Sequence, residues 1–196
     1  MTLTQYYKAF ISLFGLAAAV PPVAAAVISP FLPDNASAFG FPPMGDVGNF
    51  ARLALVCLAI VVTLLVYFWH GGKWLLVVAA SVSFICMSVY VALYPFLVLR
   101  IDVPSSNTAI RVSVGYERSQ FAKANFNSDS NEDMLRARGT TDEEVKKLWT
   151  FGSLTVSRLA LLASYCGFIL GLVAVFSLAI LFDLRRRVAD SEKNHS

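Results

Sequence analysis

Residues 74–99 read WLLVVAASVSFICMSVYVALYPFLVL, a run without a single Asp, Glu, Lys or Arg. A helix needs roughly 20 apolar residues, at 1.5 Å of rise each, to cross the hydrocarbon core of a bilayer, and this run exceeds that. Three other stretches are equally free of charge: Ala9 to Pro33, Leu53 to Gly72 and Leu159 to Phe182. They account for a chain of 196 residues that is 57% hydrophobic and 15% charged, where a soluble domain would be about one quarter charged. The composition excludes a soluble protein. It predicts an all-α membrane protein of four transmembrane helices, with a small mixed α/β extramembrane segment between helices 3 and 4. The expected divisions are 1–99, three spans with short loops; 100–157, an extracytoplasmic segment; 158–184, the fourth span; and 185–196, a basic cytoplasmic tail.

The first run resembles a secretory signal, because Ala24, Ala25 and Ala26 follow an apolar stretch. It is too long for one, and only Lys8 supplies a positive flank, so it reads as a span. Pro21 and Pro22 predict a kink near its middle, since each lacks a backbone donor and clashes with the preceding turn. Phe31 to Phe50, rich in Pro, Gly, Asn and Phe, reads as an irregular interfacial loop. His70, Gly71, Gly72 and Lys73 make a tight turn joining spans two and three, flanked by Tyr67, Phe68, Trp69 and Trp74. Arg185, Arg186 and Arg187 follow span four directly, whereas the first loop holds Asp34 and Asp46 but no Lys or Arg. The positive-inside rule therefore places both termini and the Gly71-Gly72 turn in the cytoplasm. The large loop carries nine Lys or Arg against eight Asp or Glu, so the inverted topology stays open.

Within that loop Ile110, Val112, Val114 and Tyr116 alternate with polar or small residues and predict one half-buried strand. Ser130 with Asp133 caps a short helix ending near Gly139. Thr141 with Glu144 reads as a capping box opening a helix over Asp142 to Trp149, supported by a Glu143–Lys147 pair. A segment of this size buries little core alone, so it is expected to lean on neighbouring copies or on the membrane surface.

Catalytic chemistry finds few candidates. The histidines are His70 and His195, and Cys57, Cys86 and Cys166 fall in different spans, where they read as buried packing residues. No Cys or His pair has zinc-ligand spacing, and no glycine-rich phosphate loop is present. No catalytic residue, metal or cofactor is expected. Asn127, Asp129, Asn131 and Asp133 alternate as in a calcium loop, but Glu132 stands where the turn needs Gly and Arg138 where the bidentate Glu belongs. The spans lack ionisable residues, which disfavours proton coupling, while Thr63, Ser81, Ser83, Ser88 and Ser164 could line a pore.

Ala163, Gly167 and Gly171 recur every four positions and contain a GxxxG, a face on which another helix can approach closely. With further small residues at Gly15, Ala19, Ala79 and Ser83, they predict a homo-oligomer. A tetraspanin is excluded, because the large loop has no cysteine. The four spans, the outward loop Arg100 to Arg158 and the basic end at Arg185 to Arg187 resemble the four-span membrane component of the Kiwa anti-phage defence system. That resemblance implies a homo-oligomer, such as a tetramer, in a bacterial inner membrane. It would sense phage attack at the envelope and hold a DNA-binding protein on its cytoplasmic face, without touching nucleic acid itself. The residues place that contact on Gly71, Gly72, Lys73 and Arg185 to Arg187. The leading expectation is a non-enzymatic sensor or scaffold; the alternatives are a holin-like or toxin-like pore and an accessory subunit of a transporter or envelope enzyme.

Overall fold

The computed structural model describes residues 42–45, 48–68, 73–103 and 108–193. The expected first span, its proline kink and the Gly71-Gly72 turn lie outside the described residues. The elements are α1 (Gly48–Phe68), α2 (Lys73–Leu97), β1 (Val98–Val103), β2 (Thr108–Ser113), α3 (Gln120–Asn125), α4 (Asn131–Arg138), α5 (Asp142–Leu148) and α6 (Phe151–Lys193). Among the described residues three helical stretches are long and apolar enough to cross a membrane: Gly48–Phe68, Trp74–Leu97 and Phe151–Arg186. The protein is thus mostly helical, membrane-associated by length and composition, with a small two-stranded sheet.

The described chain falls into two compact units. The first takes in Leu55–Cys86 and the chain from Gly167 onward. Val66 of α1 meets Leu178, Ile180 and Leu181 of α6, with Leu75, Leu76 and Ala79 of α2 against them. Lipid tails are as apolar as leucine, so burial drives such packing weakly and close van der Waals contact does most of it. The closest contacts fall at the glycines of α6. A Cβ at Gly167 would stand 2.6 Å from Cys86 Sγ, and one at Gly171 would stand 2.7 Å from Ser83 Cβ. Ser83 Oγ, buried there, donates to the Phe168 carbonyl at 3.0 Å. Leu58, Ile60, Val61, Leu64 and Leu65 of α1 and Val77, Val78, Val82, Phe84 and Ile85 of α2 stay exposed, as an apolar surface in lipid would.

The second unit takes in Phe41–Ala54 and Met87–Cys166. Here β1 follows α2 without a loop and pairs antiparallel with β2, Leu99 opposite Val112, Arg100 opposite Arg111 and Ile101 opposite Ile110. Strand β2 ends at Ser113, earlier than the alternating pattern predicts, and Tyr116 is exposed. Beyond it the Val114 N–H donates to the Leu97 carbonyl at 2.8 Å and the chain turns inward. Gly115 suits this point, because a Cβ would stand 2.3 Å from the buried Ser153 Oγ and press on Trp149 and the backbone of Leu154.

The expectation that this segment buries little core is corrected. Ile101, Val112, Val114, Ala122, Met134, Leu135, Val145, Leu148, Trp149 and Leu154 form one buried cluster, several of them fully enclosed. All of them lie within 100–157, and the last, Leu154, comes from the first turn of α6, which begins at Phe151, earlier than the expected span. Elsewhere in the same unit Pro42 and Met44 are also buried. Helices α4 and α5 appear where their caps predict, whereas β1 and α3 were not anticipated.

Replacing Trp149 by Ala should remove about 3–5 kcal/mol and open the segment to limited proteolysis. Gly171→Leu should cost about 1–3 kcal/mol or more by overpacking against Ser83, measured as a lower thermal midpoint in detergent. Gly152→Ala, where a Cβ meets nothing within 4 Å, should leave the midpoint unchanged.

Candidate functional site

Among the arginines of the second unit, Arg118 and Arg158 hold its shape, and Arg52 and Arg111 line a cavity. Arg118 follows the Gly115 turn and reaches into the polar loop beyond α3. Its guanidinium donates to Asn131 Oδ1 at 3.0 and 3.2 Å, to the Phe126 carbonyl at 3.1 Å and to the Asp129 carbonyl at 2.8 Å. Of the residues that alternate like a calcium loop, Asn131 gives its side-chain oxygen and Asp129 its backbone carbonyl to this internal cation. Asp133 is occupied as well, accepting from Ser130 Oγ at 2.6 Å while its own N–H donates back to that hydroxyl at 3.1 Å, which caps α4 as expected.

Arg158, on α6, donates to Ser113 Oγ at 2.9 Å and pairs with Asp142 at the start of α5. Lys146 pairs with the other carboxylate oxygen at 2.6 Å. The side chains of Arg158 and Asp142 are 13% and 11% exposed, so the pair is strong only because all its members are present. Burial pushes the Asp142 pKa upward, but hydrogen bonds and charge from Lys146 and Arg158 outweigh it and hold the carboxyl below its usual range. Gly45, at φ 62°, lies against this carboxylate, leaving no room for a side chain.

The capping box expected at α5 does not form. Thr141 occupies the N-cap position without a side-chain hydrogen bond. Glu144 turns outward instead, to Lys147 at 2.6 Å and Arg138 at 3.1 Å. Lys147 first, then the nearby Arg138 charge, lowers the Glu144 pKa. Lys147 is thus engaged by Glu144, where the sequence pairs it with Glu143. Arg138 also stacks over Phe121, 5.2 Å from the ring centre. Ser119 ties α3 to α5, accepting from the Ala122 N–H at 3.1 Å and donating to the Lys147 carbonyl at 2.6 Å.

Arg52 of α1 and Arg111 of β2 line a cavity of about 300 Å³ together with Tyr94 of α2, Asn49 and the Pro42–Gly45 turn. Among the described residues no Asp or Glu lines it. Arg111 and Tyr94 face the same cavity. Tyr94 belongs to a ring cluster with the buried Tyr90, 5.6 Å away, which in turn stacks 5.5 Å from Tyr165. Sequence reasoning misses this site, because its residues lie on three elements and share no local spacing.

Of the expected oligomer face, Gly167 and Gly171 pack on α2 of the same chain, and Ala163 is exposed. The close approach that their spacing offers to another subunit is made within the chain. Arg185 and Arg186 are exposed near the end of α6, while Gly71, Gly72 and the side chains of Lys73 and Arg187 lie outside the described residues. Thr63 and Ser164 donate to the carbonyls of Ala59 and Ala160 one turn back, and Ser83 is spent on Phe168. Cys57 is exposed on α1 instead of buried, and all three cysteines are free thiols. Among the described residues no group of three His, Cys, Asp or Glu gathers. The chain matches no known protein family, no curated protein and no solved structure.

Arg158→Met and Asp142→Asn should each cost about 2–3 kcal/mol, less than for a fully buried pair because the rim is wet. The stability from ionised Asp142 is complete above its ordinary value of 3.8 and is lost as the pH falls below that toward the depressed value of the folded state. An acid titration followed by proteolysis should show the loss in the wild type and not in Asp142→Asn.

Proposed function

We propose that this chain is a non-enzymatic, oligomeric inner-membrane sensor and scaffold. Its folded segment over 100–157 serves as the outward input surface. Gly71, Gly72 and Lys73 together with Arg185 to Arg187 hold a cytoplasmic protein partner. The observation that carries this reading is the closed core around Trp149 and Met134, walled by ion pairs such as Arg158–Asp142. A segment shaped this firmly, with Asp142, Glu144, Arg138, Lys146, Lys147 and Arg158 committed to one another, suits recognition better than proton transfer or nucleophilic attack. The architectural resemblance to the Kiwa membrane component favours anti-phage defence as the setting and a DNA-binding protein as the partner. The pore reading draws less support, since Thr63, Ser83 and Ser164 give their hydroxyls to backbone carbonyls.

The test is capture of the tagged chain from its native membranes in mild detergent, followed by native mass determination. A discrete homo-oligomer carrying a soluble cytoplasmic protein is expected, with the partner lost on replacing Arg185, Arg186 and Arg187 by Ala. A chain recovered alone, whose overexpression collapses the membrane potential, would overturn the proposal in favour of a pore.

A further inference from the structure

We infer that the folded segment of the second unit is seated directly on lipid, along an apolar wall made by the starts of α1 and α6 and the end of α2, so that the bilayer covers α6 from Phe151 onward. Phe50, Phe96 and Phe151 are 77%, 78% and 78% exposed, and Leu53, Val156 and Leu159 are exposed beside them in sequence. A surface bathed in water seldom carries so many large apolar side chains, and such a patch marks contact with a membrane or with another protein. The three helix ends gather around strand β2. Arg52 and Tyr94 line one cavity with Arg111, Arg158 donates to Ser113, and the Val114 N–H donates to the Leu97 carbonyl.

Helix α6 shows where the boundary falls. Leu154, Ser157, Leu161 and Ser164 are buried on one side of its first turns. At about 100° per residue, Phe151, Gly152, Val156, Leu159 and Ala163 fall on the opposite side, and all five are exposed. This stripe continues the surface of the uncharged run that begins at Leu159 back to Phe151, about 12 Å along the helix axis, without meeting a charge. Arg158, the one charged residue between Phe151 and Phe182, turns aside to Ser113 and Asp142, and Arg52, between Phe50 and Leu53, faces the cavity. Phenylalanine lacks the polar tip with which Trp and Tyr straddle a wet boundary, so these three rings place the hydrocarbon edge at the helix ends. A second copy would cover one side of the unit, whereas exposed apolar residues on three separate helices need an apolar medium around it. The lipid contact does not depend on the sensor reading.

The test places the photocrosslinking amino acid p-benzoylphenylalanine at Phe50, Phe96 or Phe151, one position at a time, in the full-length protein in vesicles of phosphatidylethanolamine and phosphatidylglycerol. The exposed Glu132 of α4 serves as the control position. Illumination should add the mass of one phospholipid at each phenylalanine position and none at Glu132. On the unmodified protein, a phospholipid carrying a diazirine near its glycerol should label residues within 50–53, 96–97 and 151–159, which decides the matter even where a substituted chain fails to fold. A covalent dimer at Phe151 in place of the lipid adduct would overturn the inference in favour of a second copy. No adduct at the three phenylalanine positions, equal lipid labelling at Glu132, or diazirine labels confined to other residues would each overturn it as well.

Discussion

The first unit is organised by one close approach, that of Ser83 and Cys86 to the bare backbone at Gly171 and Gly167. In lipid no water competes for apolar surface, so helices associate only as tightly as their side chains let their backbones approach. A glycine pair four residues apart exposes the backbone over one full turn, and the Ser83 hydroxyl adds a hydrogen bond to the Phe168 carbonyl beside it. With α2 and α6 held at this point, Val66 of α1 can settle against Leu178 and Leu181.

The second unit solves a different problem, that of forming a core from short elements. Helices of six to eight residues have little stability of their own, and here each is fixed by a polar contact at its end. Ser119 joins α3 to α5, Ser130 and Asp133 close the start of α4, and Arg158 anchors α5 through Asp142. These contacts set the positions from which Ala122, Met134, Leu135, Val145 and Leu148 converge on Trp149. Polar restraint and apolar burial are coupled: the ends hold the helices while the core makes them worth holding.

What was legible in the sequence follows the range of the interactions. The spans are visible because absence of charge is a property of each run by itself, and the cap at Ser130 because its partner is three residues away. Strand β1 is hidden because Val98 and Leu99 continue the apolar run of α2, and hydrophobicity does not change where helix gives way to strand. Helix α3 is hidden because only Ala122 of its six residues is buried, too little to show a period. GxxxG announces a close contact without naming its partner, and the partner is α2. The cavity joins Arg52, Tyr94 and Arg111, and the Arg158 pair reaches back to Asp142, distances over which spacing carries no signal.

The loop that closes around Arg118 has a further consequence. A loop built on a bound divalent ion loosens whenever that ion is withdrawn, and its rigidity then reports the composition of the medium. Here the central charge is tethered by a covalent side chain and cannot dissociate, so chelators and changing divalent concentrations leave the shape alone. The shape of this loop is set by the chain itself.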